Sequence, residues 1–340
     1  MIMAFKFIAI LLLEITLALF SRAENGLPVK SIQSEDGDVI DCIDIFKQPA
    51  LSHPALKNHK IQMRPSDNPV MENSLTTKTD QKFYKFVTTQ IWQKNGNCPK
   101  GTVPIRRTQK KKDQLKKPSF FHRDNGLKSK KDIYLSQMNH SLAILHTEGY
   151  RYLGAKTDMV TWNPHVEADD EYSTSRVALM SGAYYDYQDI ESGWAVNPRV
   201  YGDRQTRFFT YWTDLNTSNW WLQYGEKINI GYWPSEIFEG GLKYHAETVQ
   251  WGGEVYSSKV GTHPHTKTQM GSGAFPIFIY ANTGFMKRIR VLQNSMELKF
   301  PEYVDAYSEE YDCYRTQYMG DYVEEPEFHF GGPGRNPICP

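Results

Sequence analysis

The 340-residue chain reads as an all-β protein. Aromatic residues make up 14% of it, with 21 Tyr, 17 Phe and 8 Trp, and this rich supply suits half-buried pleated strands. Short aromatic and β-branched runs recur after residue 137: Thr174 to Leu179, Arg207 to Trp212, Trp220 to Tyr224, Ile228 to Trp233, Thr248 to Tyr256 and Phe275 to Tyr280. Gly, Pro, Asn and Asp punctuate them, the pattern of a β-sandwich or barrel. No long amphipathic helix and no internal repeat competes with that reading.

The N-terminus reads as a targeting segment. Lys6 precedes an apolar run from Phe7 to Phe20, and Ser21-Arg22-Ala23 closes it with small residues at the first and third positions. This predicts a secretory signal peptide over 1–23, cut after Ala23. The run is too short for a membrane span. The mature protein is therefore expected to be exported (extracellular, vacuolar or in the cell wall), with no membrane contact once the signal is removed.

Four cysteines in an exported chain predict two disulfides, with three possible pairings. The simplest is Cys42–Cys98 and Cys313–Cys339, each within one region. No Cys/His group has zinc spacing; His263 and His265 read as part of a surface strand, and no metal or organic cofactor is expected. Asn139-His140-Ser141 and Asn216-Thr217-Ser218 are glycosylation acceptors.

The charges divide the chain. Residues 1–136 hold 23 Lys+Arg and 13 Asp+Glu, a net of +10, whereas residues 137–340 hold 16 and 26, a net of −10. Much of the excess lies in a linker over 106–136, where Arg106-Arg107, Lys110-Lys111-Lys112, Lys116-Lys117 and Lys128 to Lys131 repel one another. Such an exposed basic stretch is a target for proteolysis. Export argues against nucleic acid as the partner. The expected organisation is a first region over 24–105, the linker, and a main domain over 137–340.

Two segments carry the chemistry: Asp189-Ile190-Glu191-Ser192-Gly193-Trp194 and Gln250-Trp251-Gly252-Gly253-Glu254-Val255. Each sets one glutamate among glycine and tryptophan in a strand-like run. Alternate strand residues share a face, so Glu191 stands with Gly193 and Ala195, and Glu254 with Gly252, Gln250 and Thr248. Small neighbours make a concave surface on which a peptide could lie, with Gln250, Gly252, Gly253, Trp194 and Trp251 as candidate substrate-binding residues. Carboxyls beside apolar rings are poorly solvated, and two that meet titrate as a coupled pair with one retaining a proton. That equips Glu191 and Glu254 for acid–base hydrolysis. The other acidic pairs, Glu309-Glu310 and Glu324-Glu325, read as solvated loop charges. Two rival readings share these features: a carbohydrate-binding sandwich whose tryptophans stack on sugars, and a two-carboxylate glycosidase.

Several longer segments carry a family resemblance. Asp189 to Pro198, Tyr201-Gly202-Asp203, Phe209 to Thr213, Gly231-Tyr232-Trp233-Pro234, Trp251 to Val255, Thr268 to Gly273 and Phe330 to Pro337 resemble the neprosin family of plant secreted proteins. Asp44 to Ala50 and Cys98 to Arg107 resemble that family's activation peptide. The resemblance implies an acid-acting glutamic endopeptidase made as a zymogen. It implies an antiparallel two-sheet β-sandwich as catalytic domain, with a small inhibitory propeptide domain before it. It also implies Glu191 and Glu254 as the catalytic pair, and a peptide or protein substrate cut after proline. Ala274 and Trp220-Trp221 depart from the family's pattern and bear on subsite preference.

Overall fold

A computed structural model describes residues 26–65, 70–71, 90–107, 139–183, 186–212, 219–225, 228–238, 240–276, 282–320 and 325–340. The signal segment, most of the basic linker, Asn216 and Glu324 lie outside the described residues. The strands in chain order are β1 (Lys30–Gln33), β2 (Val39–Asp44), β3 (Val70–Met71), β4 (Thr102–Arg106), β5 (His140–Tyr152), β6 (Gly154–Met159), β7 (Tyr172–Ala183), β8 (Asp186–Val196) and β9 (Arg207–Trp212). They continue as β10 (Trp220–Tyr224), β11 (Ile228–Trp233), β12 (Ala246–Tyr256), β13 (Gly284–Leu292), β14 (Glu297–Lys299), β15 (Asp305–Ser308), β16 (Arg315–Met319) and β17 (Glu327–Gly331). The all-β expectation holds. Ile91–Asn95 forms a short 3-10 turn, and Phe275 and Pro276 lie outside any strand.

Two compact units divide the chain, and neither follows the linear boundaries at 105 and 137. One comprises residues 1–65, 77–113 and 221–236; the other comprises 66–76, 114–220 and 237–340. In the first, β1-β2-β4 form an antiparallel sheet over a small core of Ile32, Ile40, Cys42 and Trp92. A core this small gains stability from a covalent staple, and Cys42–Cys98 supplies one. Residues 221–236 join this unit through Tyr232. Its hydroxyl accepts from the Gln62 amide at 2.8 Å and bonds His59 Nε2 at 2.7 Å. His59 Nδ1 in turn meets Glu236 Oε1 at 2.8 Å.

The second unit holds two six-stranded sheets. One runs β15-β5-β12-β7-β8-β9, antiparallel throughout. The other runs β16-β17-β13-β14-β3 with β6 also on β13; its β14–β3 pair is parallel. Period-2 alternation decides what each strand buries. On β12, Val249, Trp251, Gly253 and Val255 face the second sheet, where a Cβ on Gly253 would lie 2.6 Å from Met270 Cγ and 2.9 Å from Phe330 Cδ2. Trp251, Leu145, Met286, Ile289, Phe328 and Phe330 are among the fully buried side chains of this sandwich core.

After β8 the chain makes one helical turn, Pro198–Tyr201. The Asn197 side chain accepts from the Val200 amide, proline occupies the first turn, and Gly202 ends it at φ 80°. This turn lays Tyr201 and Val200 against Tyr172, Ala195 and Phe209 beside the glutamate-bearing face.

Candidate active site

The site lies on the β5-β12-β7-β8 face opposite the core. In register, Glu254 of β12 stands opposite Thr174 of β7, and Glu191 of β8 opposite Ala178. Between these rows is Arg176, paired with Gly252 on one neighbour and Gly193 on the other. Both glycines are sterically required. A Cβ on Gly193 would overlap the Ser175 carbonyl oxygen and come within 2.8 Å of Arg176 Cα. One on Gly252 would overlap the Ala143 carbonyl oxygen, and its φ of 150° disfavours a side chain.

The two glutamates meet through Arg176. Its Nη1 lies 3.0 Å from Glu191 Oε1, while Nε and Nη2 each lie 3.0 Å from Glu254 Oε2. The other oxygen of Glu254 takes Tyr172 Oη at 2.8 Å and His140 Nδ1 at 2.6 Å. Gln250 Oε1 completes the arginine's contacts at 3.4 Å from Nη1. Arg176, Glu191 and Glu254 are 3%, 2% and 1% exposed. A buried cluster this polar stands only if its charges are paired.

The two carboxyls diverge. Burial raises the Glu191 pKa well above its ordinary value; Arg176 offsets this only in part, and the nearby Asp189 and Glu254 push the same way as burial. Burial opposes ionisation of Glu254 too, but Arg176, His140 and Tyr172 together outweigh it and hold that carboxyl well below the usual range. At mildly acidic pH the face therefore carries one proton-bearing carboxyl and one carboxylate.

The remaining predicted residues are dispersed. Gly252 and Gln250 share the glutamate face. Trp251 and Gly253 do not: alternation turns them into the inter-sheet core, and Trp251 is fully buried. Trp194 also points away from the glutamates, edge-on to Phe208 with ring centroids 5.5 Å apart. Asn139 is half-buried, its carbonyl accepting from the Ser257 amide. Both expected disulfides, Cys42–Cys98 and Cys313–Cys339, are present.

Two sequence readings are corrected. His265 is not on a surface strand: it is a buried loop residue with Nε2 3.2 Å from Glu310 Oε2. It sits near Cys313 and Cys339, but those sulfurs are bonded to each other and are not thiolate ligands. Nor are Glu309, Glu310 and Glu325 merely solvated loop charges: Glu309 is exposed as expected but bonded, and Glu310 and Glu325 are half-buried and paired. Glu309 accepts from the Leu142 amide at 2.9 Å beside the site, and Glu325 takes both oxygens to Arg290 Nη2 at 2.8 and 2.9 Å.

Arg176, Tyr172 and His140 contact the glutamates and carry no site signal in the sequence reading, with one exception. Arg176 had one signal: it is the lone charge in the run Thr174 to Leu179.

Fold and site together define the class of protein: an all-β chain with a two-sheet β-sandwich that carries two buried glutamates on one face, and a small disulfide-stapled β unit. Comparison with known families gives the particular one. A family model described as Neprosin matches residues 169–218 and 213–333, and one described as Neprosin activation peptide matches residues 31–153. The chain belongs to the neprosin family, a peptidase-related family, and its activation peptide points to a zymogen. Glu191 and Glu254 both fall in the Neprosin match. Among the described residues no helix is long and apolar enough to cross a membrane.

Proposed function

We propose that the protein is a secreted, acid-acting glutamic endopeptidase made as a zymogen. The observation that carries this reading is a pair of buried glutamates on one sheet face, bridged by Arg176. Glu254, as carboxylate, is the general base. It takes a proton from a water that attacks the scissile carbonyl carbon. Glu191, as acid, gives its proton to the carbonyl oxygen, and Arg176 keeps positive charge beside the tetrahedral intermediate. The proton on Glu254 then passes to the leaving amine as the C–N bond breaks, and Glu191 recovers its own. Each carboxyl returns to its starting state, so the cycle balances.

The placement of Trp194 and Trp251 away from the glutamates favours a peptide over a stacked sugar. Peptide bonds after proline are the first to test, because the family resemblance points there. The N-terminal region acts as intramolecular inhibitor, and a cut in the basic 106–136 linker begins activation. The test is hydrolysis of a proline-rich peptide by the full chain after incubation near pH 4. Turnover that falls at least about 100-fold in both Glu191→Gln and Glu254→Gln supports the reading. Wild-type protein that is cut in the linker but hydrolyses no peptide overturns it.

A further inference from the structure

Glu191 and Glu254 are both buried on one face, yet only one of them keeps a proton. Like-charge repulsion alone is symmetric: it requires one proton on the pair without choosing its owner. The geometry around Arg176 is not symmetric. Its guanidinium donates Nε–H to Glu254 Oε2 and sets Nη2 at ion-pair distance from the same oxygen, whereas it offers Glu191 only the ion-pair approach of Nη1, whose hydrogen bond goes to Gln250 Oε1. Tyr172 and His140 reach the second oxygen of Glu254. A carboxyl oxygen that accepts from a guanidinium on one side while its twin accepts from a phenol and an imidazole has little use for a proton of its own.

We propose that Arg176 is the positioning residue of the pair, a clamp that fixes Glu254 as the anion and leaves Glu191 as the proton carrier. This rests on the two-glutamate reading and adds to it the residue that sets the two roles. One guanidinium, two carboxyls and one proton sum to a neutral cluster, the form that burial permits at least cost. Gly193 and Gly252 make the clamp possible. They are the register partners of Arg176 on either side, and their missing side chains leave open the two diagonals along which it reaches β8 and β12.

The other titratable groups facing the cluster do not duplicate this role. Asp189 and Tyr187 approach from β8 and Glu309 from the segment after β15, and as anions these would oppose ionisation of the glutamates. Tyr172 from β7 is a neutral donor. His140 from β5 meets Glu254 at 2.6 Å, so it reinforces the choice.

The test reads protonation directly, so it does not depend on turnover. Infrared difference spectra of the full chain are recorded between pH 3 and pH 8 for wild type, Glu191→Gln, Glu254→Gln, Arg176→Gln and Arg176→Lys. The expected result is a protonated-carboxyl band at pH 5–6 that disappears in Glu191→Gln and persists in Glu254→Gln. In Arg176→Gln a second band appears, because Glu254 now titrates about one pH unit or more higher. Arg176→Lys, with the charge but not the fork, falls between. A band that persists in Glu191→Gln and vanishes in Glu254→Gln overturns the assignment. So does an Arg176→Gln protein whose Glu254 titrates as in wild type. Where Arg176→Gln does not fold, the two glutamate variants and Arg176→Lys still decide the question. In an active preparation, the acid limb of kcat/KM should move up with Glu254 in Arg176→Lys, whereas a merely structural role would lower activity evenly across pH. Expected bands without peptide hydrolysis would leave the clamp standing and sink the peptidase reading alone.

Discussion

Glu191 and Glu254 stand on the same face of one sheet with a single strand, β7, between them. They are therefore diagonal neighbours joined by Arg176 rather than a carboxyl pair in direct contact. The consequences for stability differ between them.

Removing charge from Glu254 should destabilise the fold. Glu254→Gln leaves Arg176 buried with one fewer carboxylate, and breaking a buried ion pair from one side costs about 3–5 kcal/mol. Thermal or urea unfolding at pH 6 measures the loss. A Glu254→Gln protein as stable as wild type would mean that Glu191 ionises to replace it.

Glu191 should show the opposite sign. Its pKa is raised on folding, chiefly by burial, so the folded state holds a proton that the unfolded chain releases above its ordinary value of about 4.3. Stability is then lost as pH rises from there toward the folded pKa. Glu191→Gln removes that dependence. It should be neutral at pH 3–4 and stabilising at pH 7, while abolishing hydrolysis. Melting curves of the two proteins at both pH values settle it: a constant difference would contradict the assigned sign.

The glycines flanking Arg176 should be intolerant. Gly193→Ala forces a Cβ into the Ser175 carbonyl, and Gly252→Ala adds a positive φ to a similar overlap at Ala143. Strand backbones cannot yield as side chains do, and a loss of about 3 kcal/mol or more is expected for each. Gly253→Ala meets the flexible Met270 as well as Phe330 and should cost less. Equal losses at all three positions would remove backbone approach as the cause.

How far the sequence reached follows from the physics of strands. Alternation along one strand is local, so the strand character of Thr248 to Tyr256 and the shared face of Glu254, Gly252 and Gln250 were legible. The same alternation sets Trp251 and Gly253 on the opposite face, and which face is the core depends on where the second sheet packs, a long-range fact. Arg176 was not legible as a site residue. Its role depends on which strands neighbour β7 and in what register, and both are set by long-range pairing. Val70–Met71, paired with β14, and residues 221–236 likewise join units far from their sequence neighbours, which no linear boundary could express.

Within the first unit, Tyr232 should anchor the segment around His59. Tyr232→Phe removes the acceptor of the Gln62 amide and the partner of His59 Nε2. Losing the two bonds is worth about 1–3 kcal/mol locally. Hydrogen exchange at the Gln62 amide should accelerate accordingly while amides of β1 and β2 are unchanged. Unchanged exchange at Gln62 would place its protection elsewhere.

Latency should respond to both pH and salt. The N-terminal 136 residues carry a net of +10 and the remainder a net of −10. Attraction between them needs ionised carboxylates, and ordinary carboxyls lose their charge as pH falls toward about 4. Lysines and arginines stay charged there, so the N-terminal part loses its counter-charge while its own repulsion persists. Inhibition by a separately made N-terminal fragment should thus be strong at pH 7 and weak at pH 4. Because these are mostly surface charges, raising salt from about 0.1 M, where the screening length is about 10 Å, to about 1 M, where it is about 3 Å, should weaken inhibition at pH 7 as well. The measurement is the inhibition constant across both variables. Inhibition equally tight at both pH values and indifferent to salt would exclude an electrostatic latch and leave shape complementarity as the source of latency.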